Sequence, residues 1–566
     1  METIQTKIKK EIINLIKKAG IVAEIEDIAV PPQEEMGDFS FACFKAAKQV
    51  KKDPVKIAQD IAEKIKAGLD FFEKVEAAGP YVNFFVKANA VAKLAVETIA
   101  REKEKFGQNE IGAKKKIMVE FSQPNTHKEF HIGHSRGTLL GQSLVNILQA
   151  SGYKVISANY FNDTGAHVAK WLWAYTKFHE GEEPKKNVGA FMNQVYQEAN
   201  VKIAENEEYK KEVSEIKQKL EQGDKEILKL WKKTRQWSID QFEKIYNTLN
   251  IDFDVYFYES DEEEAGKKLV NELLEKGIAR KSEGAVIVDL EKYDLGVFLI
   301  LKSDGTSLYS THDLPLAEKK FKKYKIDKSL YVVDVRQTMY FKQLFKTLEL
   351  MGFDESMRHI DYEFVSTPEG VISSRRGEVP TFMNLYNYVL EMAGASTKER
   401  HPDWPENKIS TAAEKITLSA IKYEMLKSSR GREIIIDPKK ALSFEGFTGP
   451  YLLYTVARIN SIIKKERPGK IKNWDTLNPA LLEKQLILQM LEFPEAVVEA
   501  AGSSQPSVVA QYLFELAQKF AEFYHEIHVL KAEEPLRSWR LSLICSVKQV
   551  LENGLNLLGI DYLEEM

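Results

Sequence analysis

Cysteine is almost missing from this chain: there are 2 among 566 residues, Cys43 and Cys545. Neither belongs to a Cys-x-x-Cys pair, which excludes a zinc knuckle. Two thiols so far apart build no disulfide framework, in keeping with a reducing cytoplasm. Any apolar run long enough to span a bilayer is also missing, so no membrane is expected as a partner. The opening residues from Met1 to Lys7 hold no signal-peptide core, and Glu2 fits a transit peptide poorly. A basic surplus is missing as well. The net charge is −4, whereas nucleic-acid binders often carry positive excess. Bulk charge thus argues mildly against a nucleic-acid ligand, although a local basic groove is compatible with it. No internal repeat is visible. The length exceeds what one core usually holds, so three or four domains are expected.

The informative stretch is Glu120-Phe-Ser-Gln-Pro-Asn125-Thr-His-Lys128-Glu-Phe-His131-Ile-Gly133-His134. The apolar run Lys116–Phe121 reads as a short buried strand. A Pro-Asn turn follows, and an amphipathic segment then runs from about Gly133 to Gln149. Strand, loop and helix start in this order form the first unit of a nucleotide-binding α/β domain. Helix N-termini present free N–H groups and a positive dipole end to phosphates. Two imidazoles at i and i+3 sit on one face of that start, within reach of one triphosphate. Gly133 between them has no side chain, so an adenine ring could approach the backbone there.

The residues His131-Ile-Gly133-His134 resemble the His-x-Gly-His signature of class I aminoacyl-tRNA synthetases. The longer string is similar to arginyl-tRNA synthetases in particular. This resemblance implies carboxylate attack on the α-phosphate of ATP, then transfer of the aminoacyl group to a ribose hydroxyl of tRNA. Positioning and charge stabilisation dominate such chemistry. By resemblance, His131, Gly133 and His134 hold ATP, and Lys128, His131 and His134 are the catalytic set. The family's second signature, Lys-Met-Ser-Lys-Ser, falls on Pro368–Gly377, where Val371 and Ser374 replace both lysines. Lys128, just upstream of the histidines, takes the place thought to compensate, as a point-charge phosphate contact. Ser373, Arg375 and Arg376 are further ATP-binding candidates.

A guanidinium substrate calls for planar carboxylate partners. Leu308-Tyr309-Ser-Thr-His312-Asp313 resembles the family's Leu-Tyr-x-Thr-x-Asp element. Asp313 would take the guanidinium, with Tyr309 four residues before it on the same helical side. Glu120, Asn125, His131 and Gln337 match further arginine-contacting positions. His312 stands where the family often has Arg, and Tyr340 where His is common. Both are expected to retune ATP contacts.

Along the chain, residues 1–110 read as a small α/β domain. Helices are expected at Lys7–Ala19, Phe39–Val50 and Val55–Gly68, the last started by Asp53-Pro54. Strands are expected at Phe71–Ala77 and Tyr81–Val86. Gly37-Asp38-Phe39 and Gly79–Phe84 resemble the family's tRNA D-loop-contacting domain, which makes Tyr81 and Asn83 candidates for holding an unpaired base. Residues 111–395 read as a Rossmann-type catalytic domain with a second strand at Tyr153–Tyr160. A charged helical insertion occupies about 171–280. Strand character returns at Ala285–Leu290, Val297–Leu301 and Tyr331–Val335. Residues 396–440 form a helical connector, and 441–566 an α-bundle. Phe444–Tyr451 resembles the family's anticodon-binding domain, with Tyr451 and Arg458 as tRNA contacts.

The expected architecture is multidomain α/β: a parallel-sheet catalytic domain with insertions, a small N-terminal domain and a C-terminal bundle. The resemblance implies a cytoplasmic monomer that uses ATP with Mg²⁺, L-arginine and tRNA(Arg), without a structural metal. Activation is expected to need bound tRNA. The alternatives are a glutamyl- or glutaminyl-type synthetase, a catalytically dead tRNA-binding relative, and an adenylyltransferase fused to an unrelated bundle.

Overall fold

Phe39 and Phe41 set the layout of the N-terminal domain. The computed structural model describes residues 3–566 apart from 32, 66–70, 185–186, 369–379 and 472. Its first elements are α1 (Ile4–Lys18), β1 (Ile28–Ala29), β2 (Phe39–Ala42), α2 (Phe44–Val50), α3 (Pro54–Lys64), β3 (Phe72–Ala78), β4 (Tyr81–Val86) and α4 (Ala88–Glu102). The expected helix over Phe39–Val50 is therefore a strand followed by a shorter helix. Phe39 and Phe41 pair across β2 and β4 with Phe84 and Val82, and this pairing overrides the local helical pattern. Asp53 caps α3 through Val55 and Lys56 N–H. The four strands run in the order β1-β2-β4-β3.

The catalytic sheet is built from β5 (Lys116–Glu120), β6 (Lys154–Phe161), β7 (Val255–Tyr258), β11 (Lys328–Asp334) and β12 (Met357–Tyr362). Its order is β12-β11-β5-β6-β7, and every pairing is parallel. Read in chain order, this is the doubly wound 3-2-1-4-5 arrangement, with its switch point between β5 and β11. Helix α5 (Ile132–Ala150) connects β5 to β6. It lies so close that a Cβ on Gly141 would meet the Phe121 ring at 2.1 Å. Only glycine allows that approach.

Four helices form the insertion between β6 and β7: α6 (Ala166–Phe178), α7 (Val188–Glu205), α8 (Glu208–Glu221) and α9 (Lys225–Leu249). The insertion therefore ends near 249 rather than 280, because β7 rejoins the main sheet. A second excursion follows, with α10 (Glu263–Glu275), β8 (Arg280–Ser282), β9 (Ala285–Asp289), β10 (Val297–Leu301) and α11 (Tyr309–Tyr324). Its strands form a separate antiparallel sheet. The strand character at 285–301 thus belongs outside the parallel sheet. Helix α12 (Thr338–Leu350) joins β11 to β12.

Strand β13 (Val365–Ser366) precedes α13 (Phe382–Arg400), α14 (Glu406–Leu426), β14 (Ile434–Ile435) and α15 (Pro438–Ala441). The expected boundary at 395 falls inside α13. The C-terminal bundle holds α16 (Gly449–Lys465), α17 (Leu481–Leu491), α18 (Phe493–Ser503), α19 (Pro506–Glu526) and α20 (Leu536–Leu557). Lys484 on α17 ion-pairs with Asp38 at 2.9 Å, which docks the N-terminal domain on the bundle. No helix among the described residues is long and apolar enough to cross a membrane.

Candidate active site

The carboxyl ends of β5 and β11 open onto a cleft of about 420 Å³. Such crevices at a switch point are where doubly wound sheets bind ligands. His131, Gly133 and His134 form one wall, where α5 starts. The His134 N–H donates to His131 Nδ1 at 3.2 Å, and the His131 N–H donates to His134 Nδ1 at 3.3 Å. The two rings stack with centroids 3.7 Å apart. With both Nδ1 atoms accepting, each neutral ring carries its proton on Nε2. Burial, then the Arg336 and Lys128 charges, lowers His131 to about 4. Burial, then His131 and Lys128, holds His134 well below its ordinary value. Two neutral Nε2–H donors beside a helix N-terminus are suited to phosphate oxygens.

The loop between β5 and α5 is strained. Ser122, Gln123 and His127 have φ of 78°, 43° and 59°, a region costly for side-chain-bearing residues. Helix α9 holds it there. Ser238 Oγ accepts the His127 N–H at 2.9 Å, and Thr234 Oγ1 meets the His127 ring at 2.8 Å. Tyr246 OH lies 2.8 Å from Ser122 Oγ. Sequence patterns gave no sign of Thr234, Ser238 and Tyr246, because an insertion helix does not announce which loop it braces. Lys128 does not line the cleft. Its ammonium lies 4.7 Å from the Tyr196 ring centre, over a residue of α7, yet its charge still reaches His131 and His134.

Carboxylates gather at the other end of the cleft. Tyr309 and Asp313 both line it from the first turns of α11, as their spacing requires. Tyr340 OH donates to Asp313 Oδ2 at 2.5 Å, while Oδ1 is buried without a hydrogen-bond partner. Burial pushes the Asp313 carboxyl up, opposed by the Tyr340 hydrogen bond, the Lys320 charge and the nearby Tyr160 hydroxyl, and reinforced by the Glu120 charge. A buried carboxylate with a free oxygen is costly until a cation or donor meets it. Tyr340 thus serves Asp313 rather than the ATP side. Glu120 lines the same cleft but is ion-paired with Lys320, a lysine only 1% exposed. Despite its burial, the Glu120 charge keeps Lys320 raised and cationic. Sequence reasoning missed this partner.

It also missed Glu259, which stands behind the same pocket. Glu259 is 2% exposed with Oε2 unpartnered, and its charge acts on Tyr160, Tyr309 and Tyr340, all cleft residues. His312, expected to touch ATP, does not line the cleft. It is buried and lies within hydrogen-bond distance of Glu259 and Glu263.

Asn125 and Gln337 line the cleft, and Asn162 Nδ2 donates to Asn125 Oδ1 at 3.4 Å. Ser373, Arg375 and Arg376, with Val371 and Ser374, lie outside the described residues. Thr381, just beyond them, pairs with His131 across a β-bridge. Elsewhere, Tyr81 is 42% exposed and packs edge-on against Phe44. Asn83 is only 3% exposed, and its Oδ1 accepts from Ser40 Oγ at 2.8 Å. Asn83 therefore holds its own sheet together rather than facing a ligand, contrary to expectation. On α16, Tyr451 OH donates to Ala517 O at 3.3 Å. Arg458 lies over the Tyr454 and Tyr524 rings in a groove with His525, His528 and Lys531, a local basic patch in an acidic chain. Among the described residues no group of three or more His, Cys, Asp or Glu side chains is arranged to hold a metal ion.

Comparison with known proteins agrees with this geometry. The catalytic-domain model "tRNA synthetases class I (R)" matches residues 95–437. The DALR anticodon binding domain matches 452–566, and the arginyl tRNA synthetase N terminal domain matches 2–86. The arginine–tRNA ligase of Clostridium acetobutylicum is 36% identical over 566 residues and 99% of both chains. That of Clostridium perfringens is 37% identical over 99% of this chain and 100% of its own. Among solved structures, Thermus thermophilus arginyl-tRNA synthetase superposes with a TM-score of 0.81 at 27% identity, covering both chains fully. Plasmodium falciparum arginyl-tRNA synthetase, at 22% identity and a TM-score of 0.79 over both full chains, shares the fold. With family models covering most of its length and full-length relatives above one-third identity, this chain belongs to the arginyl-tRNA synthetase family of class I aminoacyl-tRNA synthetases.

Proposed function

We propose that this ligase activates L-arginine with ATP and passes the arginyl group to the 3′ end of tRNA(Arg). The observation that carries the reading is the buried, half-unpartnered Asp313 carboxylate in the same cleft as the paired imidazoles of His131 and His134. An arginine guanidinium donates in a planar fork and meets Asp313, with Glu259 and Tyr309 beside it. Asn125, Gln337 and His131 hold the α-amino and carboxylate end, and the Glu120–Lys320 pair shapes the wall.

The arginine carboxylate then attacks the α-phosphate of ATP. A bond forms from carboxylate oxygen to phosphorus as the bond to the pyrophosphate oxygen breaks. The Nε2–H groups of His131 and His134 and the Lys128 ammonium stabilise the charge that builds on the phosphates. Gly133 lets the adenosine approach, and Ser373, Arg375 and Arg376 are assigned to the same phosphates. In the second step a terminal ribose hydroxyl of tRNA attacks the arginyl carbonyl and AMP leaves. Mg²⁺ would enter with the ATP phosphates.

The tRNA is shared among the domains. Residues 1–110 meet the D-loop through exposed Tyr81, and 441–566 meet the anticodon through Tyr451 and Arg458. Residues 111–395 carry the chemistry, joined to the bundle by 396–440. The enzyme works as a cytoplasmic monomer. Activation depends on bound tRNA, which stabilises the competent state of the cleft. A chain of contacts supports this reading. Lys422 on α14 donates to Leu249 O at the end of α9 at 2.8 Å and to Gly559 O after α20 at 2.5 Å. Helix α9 in turn braces the strained loop before His131. Arginine-dependent ATP–pyrophosphate exchange with and without a bulk tRNA fraction tests the reading. Exchange only with tRNA is expected, and equal exchange without it removes the dependence.

A further inference from the structure

We propose that His312 is a positioning residue for arginine binding: clamped between Glu259 and Glu263, it holds the Glu259 carboxylate against the pocket beside Asp313. This rests on the reading above, in which the guanidinium lies at Asp313.

The geometry is specific. His312 is 1% exposed and follows Thr311 on α11, whose carbonyl oxygen would stand 2.4 Å from a Cβ on Gly266 of α10. That close approach brings Glu263 and the 3-10 turn Glu259–Glu262 onto the imidazole. His312 Nδ1 lies 2.9 Å from Glu259 Oε1, and Nε2 lies 2.7 Å from Glu263 Oε2. A ring can donate to two carboxylates at once only when both nitrogens carry protons. A neutral ring would turn a lone pair on one of them. With both carboxylates ionised the clamp needs the imidazolium, which engages one oxygen of Glu259 and leaves Oε2 without a hydrogen-bond partner, on a carboxyl group whose charge is coupled to Asp313, Tyr160, Tyr309 and Tyr340. It also offsets the charge of Glu259, which would otherwise repel Asp313 in a dry pocket before substrate arrives.

The charged neighbours are known on every side. From the 3-10 turn come Glu259 and Glu262, the latter paired with Lys319. Helix α10 brings Glu263 and Lys267, which pair at 2.6 Å. Asp313 lies on the ring's own helix, and Asp163 with Arg235, paired at 2.8 Å, stands behind Glu259. Although burial opposes it, the hydrogen bonds to Glu259 and Glu263 raise His312 to about 9. Glu263 is held down at about 2 despite its burial, chiefly by His312, whereas burial pushes Glu259 up to about 7 against the pull of the same ring, so both carboxylates are ionised only above neutral pH. Raising the pH through about 9 thus removes one of the two clamping protons.

The test is the arginine KM in ATP–pyrophosphate exchange with tRNA, measured from neutral to alkaline pH for the wild type, His312→Gln and His312→Arg. The α-amino group of arginine titrates in the same range, so His312→Arg, which keeps its charge, is the reference at each pH. At neutral pH, His312→Gln is expected to raise the arginine KM about tenfold or more, the scale of a hydrogen bond to a charged group, while the ATP KM stays within about twofold. The wild type is expected to lose arginine affinity at alkaline pH more steeply than His312→Arg. An unchanged arginine KM in His312→Gln, or matching alkaline limbs in wild type and His312→Arg, overturns the proposal. Should His312→Arg fail to fold, histidine-labelled NMR of the wild type, assigned with His312→Gln, decides: a neutral ring at about pH 8 overturns the clamp. Asp313→Ala is run in parallel. If it too leaves arginine binding intact, the site reading fails. If it alone weakens arginine, only the His312 proposal fails.

Discussion

His131 and His134 each accept the other's backbone N–H at Nδ1 while their rings stack 3.7 Å apart. The pair caps the helix and, in the proposed reaction, receives phosphate. One nitrogen of each ring closes the start of α5, and the other is left as a donor toward the cleft.

Because burial lowers His131 to about 4, the folded chain resists protonation there while the unfolded chain takes a proton near 6.5. Between those values the unfolded state binds more protons, so stability falls as pH falls. The urea midpoint is expected to drop from about pH 6.5 toward pH 4, less steeply in His131→Gln. Parallel profiles for the two proteins would contradict the assignment of neutral rings.

Lys128 rests on the Tyr196 ring; in the proposed reaction its ammonium meets phosphate, a contact that would strengthen as charge develops. Lys128→Ala is expected to lower kcat about a hundredfold, with a smaller change in the ATP KM. A rise in KM alone, at unchanged kcat, would show a ground-state contact only.

Tyr81 and Asn83 separate cleanly. Tyr81 is exposed, with Phe44 edge-on against it, whereas Asn83 is buried and bonded to Ser40. Tyr81→Ala is expected to raise the tRNA KM by about tenfold, the scale of one lost base stack, without moving the arginine KM. Asn83→Ala should lower the thermal midpoint instead. A tRNA effect confined to Asn83→Ala would reverse the two roles.

What the sequence made legible was local. The strand Lys116–Glu120, the turn and the two histidines form one contiguous unit, and the four-residue spacing puts Tyr309 and Asp313 on one side of a helix. Lys320 was not legible. It sits in Glu318-Lys319-Lys320-Phe-Lys322-Lys323, which reads as a solvated face, yet it is buried against Glu120. Glu259 likewise opens an acidic run, Glu259-Ser-Asp261-Glu262-Glu263-Glu264, and nothing local tells which carboxylate turns inward. Those choices are made by β5, β6 and α11 packing together across nearly two hundred residues of chain. The Phe39–Ala42 strand failed for the same reason, since its partner lies on β4. The loop at 369–379 lies outside the described residues, so its part rests on the family pattern.

The most direct test of the account is the arginine and ATP KM of Asp313→Ala in ATP–pyrophosphate exchange with tRNA present. Losing one partner of a buried charged contact costs about 3–5 kcal/mol, so the arginine KM is expected to rise by a factor on the order of a hundred to several thousand. The ATP KM should stay close to that of the wild type. A weakened ATP interaction with unchanged arginine affinity would contradict the placement of the guanidinium, and with it the reading of this cleft.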